Sequence, residues 1–310
     1  MSEADRSPLL RLLRERAKIV SAIRRFFDDQ GFVEVETAVR ISAPAPEEHI
    51  DCPPVVGGGY LRASPELQMK KLLAEGMDRI YQIGPCFREG EKGSRHNPEF
   101  TMIEWYRREA NYLDIAEDLK SLVLGLMSLS GAQDLGRETE VARPLFKTLS
   151  VRDAYREYAG WDPWEGTWDQ DRFDFDMATK IELAIKSIGG GVFLMDYPPQ
   201  AASLAKISYA PGTRHQAQST TYAERWEFYW DGLELANCFT ELCDSNEQRM
   251  RFEAAKNARI LLKESDYPID NEFIESLPRI GSAAGVALGV DRLVMVLTKT
   301  KEISSVRAPL

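Results

Sequence analysis

Two arginines and a histidine fall within nine positions in Phe87-Arg88-Glu89-Gly90-Glu91-Lys92-Gly93-Ser94-Arg95-His96-Asn97-Pro98-Glu99, which runs on through Phe100-Thr101-Met102-Ile103-Glu104-Trp105-Tyr106. A guanidinium matches phosphate or carboxylate oxygens in bidentate geometry, so Arg88 and Arg95 are candidate anion ligands. The pattern reads as a strand ending at Arg88, a polar loop and a return strand. Side chains alternate along a strand, which places Phe100, Met102, Glu104 and Tyr106 on one face. That face would offer a flat ring, a carboxylate and a phenol. The same residues also suit an ordinary hairpin with surface ion pairs.

A second cluster is Glu227, Glu234, Asn237, Phe239 and Glu241, astride the hairpin signal Asp231-Gly232. Such a turn pairs 229 with 234 and 227 with 236, so Glu227 and Glu234 share a face. Two carboxylates there, with no cation in reach along the sequence, suit Mg²⁺, which takes few carboxylates plus substrate phosphates. A solvated hairpin face would look the same. Strict alternation separates Glu234 from Asn237, so one shared site requires a bulge between them. The third piece is Gly285-Val286-Ala287-Leu288-Gly289-Val290-Asp291-Arg292. Its glycines would let a ligand approach the strand, and Arg292 stands where a helix begins.

The elements that must carry these residues follow from periodicity and punctuation. Ser7-Pro8 opens a helix that Gly31 ends, and Ser64-Pro65 opens another that Gly76 ends. Phe32–Glu36 alternates as a strand. Strands are expected over 79–89, 100–107, 192–208, Glu224–Trp230, Leu233–Phe239 and Gly285–Val290. Helices are expected over 112–130, 150–159, 245–264 and from Asp291. Residues 160–190, with three tryptophans nearby, read as a peripheral helical insertion. Hairpin-linked strands followed by helices predict an α+β fold, an antiparallel sheet flanked by helices, in one domain spanning 1–310.

The chain has 310 residues, 44% of them apolar, and a net charge of −10. No apolar run approaches the roughly 18 residues of a membrane span, and the start lacks a signal peptide's apolar stretch, so a cytoplasmic enzyme is expected. Cys52, Cys86, Cys238 and Cys243 show no ligand spacing and read as core thiols. The acidic balance argues against a broad nucleic-acid surface. Residues 1–25 run against it, with Arg6, Arg11, Arg14, Arg16, Lys18, Arg24 and Arg25 against three acids. That helix is either a solvated face or a docking surface for an acidic partner.

Taken in order, these pieces resemble the catalytic domain of class II aminoacyl-tRNA synthetases of the lysyl subclass, over roughly residues 10–297. Gly31–Thr37 resembles motif 1, Phe87 to Glu104 motif 2 and Gly285 to Arg292 motif 3, while Ser64-Pro65-Glu66 and Glu234–Glu241 resemble lysyl-type substrate segments. More closely, the chain is similar to the elongation factor P lysine ligases. These attach a lysine, usually (R)-β-lysine, to elongation factor P and have no anticodon-binding domain. Three features carry this: little chain before the first helix, the length, and Ala287 where lysyl-tRNA synthetases have glycine. The resemblance implies ATP and Mg²⁺ as cofactors, a homodimer built through motif 1, and no membrane or anticodon recognition. It implies that Arg88 holds the ATP α-phosphate and the activated carboxylate and that Phe100 and Arg292 sandwich adenine, Arg88 and Arg292 being the catalytic pair. Arg95 and His96 would lie by the triphosphate, and Glu227 and Glu234 would hold Mg²⁺. Glu66, Glu104, Tyr106, Asn237, Phe239, Glu241 and Ala287 would line the amino-acid pocket. Three pocket carboxylates suit a substrate with two ammonium groups. The departures are Ala38 where motif 1 has proline, Gly90 where motif 2 has an acid, and Cys238 where the family has glycine, which would add a side chain beside the pocket. The competing readings are activation for another acceptor (a tRNA, a carrier protein or a small amine) and a non-catalytic amino-acid or nucleotide sensor.

Overall fold

The computed structural model describes residues 7–47, 50–129, 145–209, 221–262 and 264–308. Helix α1 spans Pro8–Asp29, with the Ser7 hydroxyl accepting from the Leu10 amide, and buries Ile19, Ala22, Ile23 and Phe27. Short strands β1 (Val33–Glu34), β2 (Arg40–Ile41) and β3 (Tyr60–Leu61) lead to α2 (Glu66–Ala74), β4 (Arg79–Phe87), β5 (Glu99–Arg108) and α3 (Tyr112–Leu129). Then come β6 (Phe146–Ser150) and α4 (Val151–Ala154), α5 (Gln170–Asp176), α6 (Glu182–Ile188), β7 (Gly191–Tyr197) and β8 (Ile207–Tyr209). The last third holds β9 (Thr221–Trp230), β10 (Leu233–Thr240), α7 (Ser245–Leu261), α8 (Asn271–Ile280), β11 (Ala283–Gly289) and α9 (Val290–Leu297).

Nine strands form one sheet in the order β1-β4-β5-β11-β10-β9-β7-β6, with β8 beside β9. The centre is antiparallel as expected, but β1–β4 and β6–β7 pair in parallel, so the sheet is mixed. Strand β6 and helix α8 were not legible in advance. The first has only five residues. The second carries Pro278 in its interior, which masks a periodic Phe273, Ile274, Leu277, Ile280 face capped by Asp270. Residues 155–159 and 177–181 are single π-helical turns continuing α4 and α5.

One face of the sheet is sealed by α1, α3 and α9. Phe27 lies 5.0 Å from both Tyr81 and Trp105, and all three are fully buried. Removing a phenylalanine from such a site typically costs about 3–5 kcal/mol. The other face carries two smaller clusters. One gathers α4, α5 and α6 on β7 and β9, and the other gathers α2 and α8 on β4, β5 and β11. Phe239 packs against both clusters. Between them the sheet is left open, and there the cavity lies. Among the described residues no helix is long and apolar enough to cross a membrane.

Candidate active site

Strand register decides which side chains meet. The Asp231-Gly232 turn has positive φ at both residues (48° and 76°), the conformation that lets a two-residue loop follow the strand twist. Beyond it Glu234 pairs with Tyr229, as alternation requires, but the register then slips between Glu234 and Ala236. Glu227 therefore faces Asn237, not residue 236. This bulge is the one the sequence demanded, and it brings Glu227, Glu234, Asn237, Phe239 and Glu241 to one face. Across the sheet, Glu227, Asn237, Ala287, Glu104 and Gln82 form one rung, and Arg225, Phe239, Gly285, Tyr106 and Ile80 the next.

Above these rungs is a cavity of about 280 Å³. Arg88, Arg95, His96, Phe100, Glu234 and Arg292, joined by mutual contacts, line one part of it. Glu66, Tyr106, Asn237, Phe239, Glu241 and Ala287 line the other, and Glu47, which feels both Arg88 and Glu66, lies between them. The structure thus brings together all but two of the sequence-derived candidates. Glu104 and Glu227 lie behind the wall.

Glu104 is fully buried and accepts from the Ser64 hydroxyl (2.6 Å) and the Tyr106 hydroxyl (2.8 Å). The Tyr106 ring closes over Gly285, where a Cβ would stand 2.1 Å from Cδ1 of the ring. The glycine therefore makes room for a protein side chain, not for a ligand as its position in the sequence implied. Burial, reinforced by Glu66, pushes the Glu104 carboxyl up to about 7.

Glu227 is already engaged. Arg225 reaches its Oε1 at 2.5 Å and the Tyr229 hydroxyl donates to Oε2 at 2.7 Å. The expectation of no cation near this carboxylate pair is corrected: Arg225, two residues earlier on the same strand face, supplies one. Its Nη1 donates to the Ala201 carbonyl (2.8 Å), its Nε to Asn237 Oδ1 (3.3 Å), and it stacks on Tyr197 at 4.3 Å. Glu234 faces the cavity. Desolvation and the Glu227 carboxylate raise its proton affinity, against the pull of Arg292, Arg88 and Arg225.

In the arginine-rich part, Arg88 lies over Phe100 at 5.2 Å and touches Glu91 at 3.3 Å. Glu91, and not Glu89, is thus the acid beside it where Gly90 takes the family's acidic position. Arg88 Nε is a buried donor with no partner among the described residues. Arg292 donates to the Glu234 carbonyl (2.9 Å) and sits 2.6 Å from His96 Nε2. Burial and Arg292 hold the His96 imidazole below its usual range, so it is neutral near pH 7 and its Nε2 accepts. Buried Asp291, at the head of α9, takes Arg16 of α1 (2.6 Å) and the Thr101 amide (2.9 Å). Arg16 is therefore structural, and Arg24 is paired with Glu34 (3.0 Å). Arg6 lies outside the described residues.

In the acidic part, Lys70 is buried between Glu66 (2.5 Å) and Glu241. It went unnoticed in the sequence although it stands four residues after Glu66, the spacing of helix neighbours. Glu47, also overlooked, comes from a loop with no periodic signal. Its backbone carbonyl accepts from buried Arg259 (2.6 Å), and burial raises its carboxyl. The Thr37-Ala38 departure is held by neighbours. Arg62 donates to the Thr37 carbonyl (2.9 Å) and hydroxyl (2.8 Å), and Gln82 accepts from the Thr37 amide (2.8 Å). Cys238 is fully buried on the opposite face, within the α1/α3/α9 cluster. It adds no side chain to the pocket, because residues 237 and 239 take that face.

The model of the family tRNA synthetases class II (D, K and N) matches residues 3–308. The chain belongs to the class II tRNA synthetase family. It is 36% identical to the elongation factor P–(R)-β-lysine ligase of Sodalis glossinidius (strain morsitans), over 97% of this chain and 95% of that protein. It is 37% identical to the ligase of the same name from Proteus mirabilis, over 96% and 94%. With that of Photobacterium profundum the identity is 33%, over 96% and 95%. Membership in this class II family makes the chain an ATP-using ligase.

Proposed function

We propose that the protein activates lysine or (R)-β-lysine as an aminoacyl-adenylate and transfers it to a lysine side chain of elongation factor P. The carrying observation is the polarity of one cavity. Arg88, Arg95 and Arg292 stand at one part, and Glu66 and Glu241, with Glu104 behind them, at the other. ATP is polyanionic, and a lysine bears two ammonium groups at neutral pH. The amino acid's carboxylate is already an anion, so activation needs no general base. A carboxylate oxygen attacks the α-phosphorus, and pyrophosphate leaves. Arg88, with its free Nε, neutralises the charge that builds there, and Phe100 and Arg292 flank the base. Charge-relieving donors held in place before reaction act without reorganising.

Mg²⁺ belongs to this reading. Glu227 raises the cost of ionising Glu234, which a divalent cation would relieve, and Glu234 is the one open to the cavity. When bound it would neutralise the phosphates. In transfer, the acceptor amine attacks the adenylate carbonyl, AMP leaves and the amine loses a proton. The relatives' names supply the acceptor, and the net charge of −10 is consistent with a protein rather than a tRNA. A homodimer through the Gly31–Thr37 segment is also part of this reading. The edge strand β1 leaves Val33 half exposed.

The test has two stages. ATP–pyrophosphate exchange with a panel of amino acids should respond to lysine or β-lysine and not to neutral amino acids. Labelled amino acid offered with elongation factor P or with total tRNA should mark the protein. Robust charging of tRNA with no label on the protein would replace this acceptor with the competing one.

A further inference from the structure

Lys70 is not part of the cavity wall, yet it touches two residues that are. It is 1% exposed, and its ammonium bridges Glu66 on its own helix and Glu241 at the end of β10. Each carboxylate gives one oxygen to Lys70, Oε1 of Glu66 and Oε2 of Glu241. Glu241 Oε1 is buried with no hydrogen-bond partner among the described residues. A buried acceptor left open on a cavity wall is where a ligand's donor belongs. Helix α2 is itself fixed by α8 packed behind it and by the Ser64 hydroxyl, which accepts from the Glu66 amide (3.0 Å).

We propose that Lys70 is a positioning residue for amino-acid recognition: its buried ammonium holds the Glu66 and Glu241 carboxylates apart at fixed spacing, each with one oxygen left for a substrate ammonium group. This rests on the reading of the substrate as a dication. Without Lys70 the pocket would hold uncompensated buried carboxylates, which take up protons instead of staying charged. Burial already lifts the proton affinity of Glu241, and Lys70 opposes that lift. The groups that face this pair are Glu66 from α2, Glu104 and Tyr106 from β5, Cys243 beyond β10 and Glu47 from its loop.

The experiment measures KM for amino acid and for ATP separately by pyrophosphate exchange, in wild type, Lys70→Met and Lys70→Arg. Wild type that activates no cationic amino acid would sink the functional reading itself. Given wild-type activity, Lys70→Met should raise KM for lysine or β-lysine by about 30-fold near pH 7 while leaving KM for ATP within about twofold, in line with the cost of an unpaired buried charge. The ratio of variant to wild-type KM should shrink as pH rises from about 6.5 to about 9, because the carboxylates ionise unaided there. Lys70→Arg keeps the charge, so its ratio should be smaller and flat with pH. Where Lys70→Met does not fold, Lys70→Gln with Glu66→Gln removes one charge of each sign. Glu241 then lacks its cation, and the same pH-dependent ratio is expected. A ratio that is flat with pH in the charge-removing variant, or KM values for ATP and amino acid that rise together, would overturn the role.

Discussion

The two parts of the cavity meet opposite demands. Where phosphate would lie, the donors are partly unspent. Arg88 keeps a free Nε, Arg95 is exposed, and the guanidinium of Arg292 is steered by His96 and the Glu234 carbonyl. Where ammonium groups would lie, the acids are buried and tied into a network of Ser64, Tyr106 and Lys70. The difference follows from the ligands. On the proposed reading a triphosphate arrives with a large charge, and donors with open hydrogen-bonding capacity are enough to hold it. An amino acid is small, so its selection must come from acids held rigidly in place, at the cost of their desolvation. The first part is strong by charge, and the second is selective by geometry.

The sharpest way to break this contrast is Arg88→Ala. Loss of one preorganised donor at a developing charge typically lowers the rate about 100- to 1000-fold. Pyrophosphate exchange should fall by that amount. Arg88 packs on Phe100 and faces Glu91, Glu47 and Glu234, so the melting temperature of the variant is measured alongside its activity to separate a folding loss from a chemical one. Exchange within a factor of three of wild type would remove Arg88 from the chemistry.

The buried acids make a different forecast, about stability. Glu104 binds its proton more tightly when folded, at about 7 against an ordinary 4.5. Folding therefore takes up a proton between those values, and stability falls as pH rises through that window, then levels off above it. The span corresponds to about 3 kcal/mol at 1.36 kcal/mol per pH unit. Glu234, Glu241 and Glu47 are shifted the same way, so the substrate-free protein should be more stable near pH 5.5 than near pH 8. Urea titrations of wild type and Glu104→Gln at both values isolate the term. The variant should lose less stability on going to pH 8, and parallel curves would show that Glu104 is ionised throughout.

How far the sequence revealed each part also differs. The arginine part lies mostly in one contiguous run, Arg88 to Phe100, whose loop and return strand could be read from local pattern. The acidic part draws on α2, β5, β10 and a loop, and its members meet through the β5–β11–β10 register and the packing of α8 on α2. Lys70 and Arg225 were within reach of simple spacing rules, four residues after Glu66 on a helix and two before Glu227 on a strand. Glu47 and the burial of Glu104 beneath Tyr106 had no local signal. The parallel edge strands were hidden because pairing direction depends on chain path, not on residue pattern.

The smallest effects come from two departures that look alike in sequence and differ by which way the strand points them. Ala287 lies on the cavity wall, opposite Asn237 on one side and Glu104 on the other. Removing its methyl should alter the preference between lysine and (R)-β-lysine by about 1–3 kcal/mol, the usual worth of one methylene-sized change, without abolishing activation. Cys238 is paired with Val286 and Trp226 on the other face and is fully buried. Cys238→Gly restores the family's residue and empties a small volume in the core, so it should lower the melting temperature. Specificity constants for the two amino acids should keep their ratio within about twofold, since the thiol reaches neither. Measuring both ratios in both variants makes the comparison internal. A specificity change in Cys238→Gly larger than in Ala287→Gly would mean that this strand acts on the pocket through its backbone, and that the face a side chain occupies does not decide which substitutions the substrate can feel.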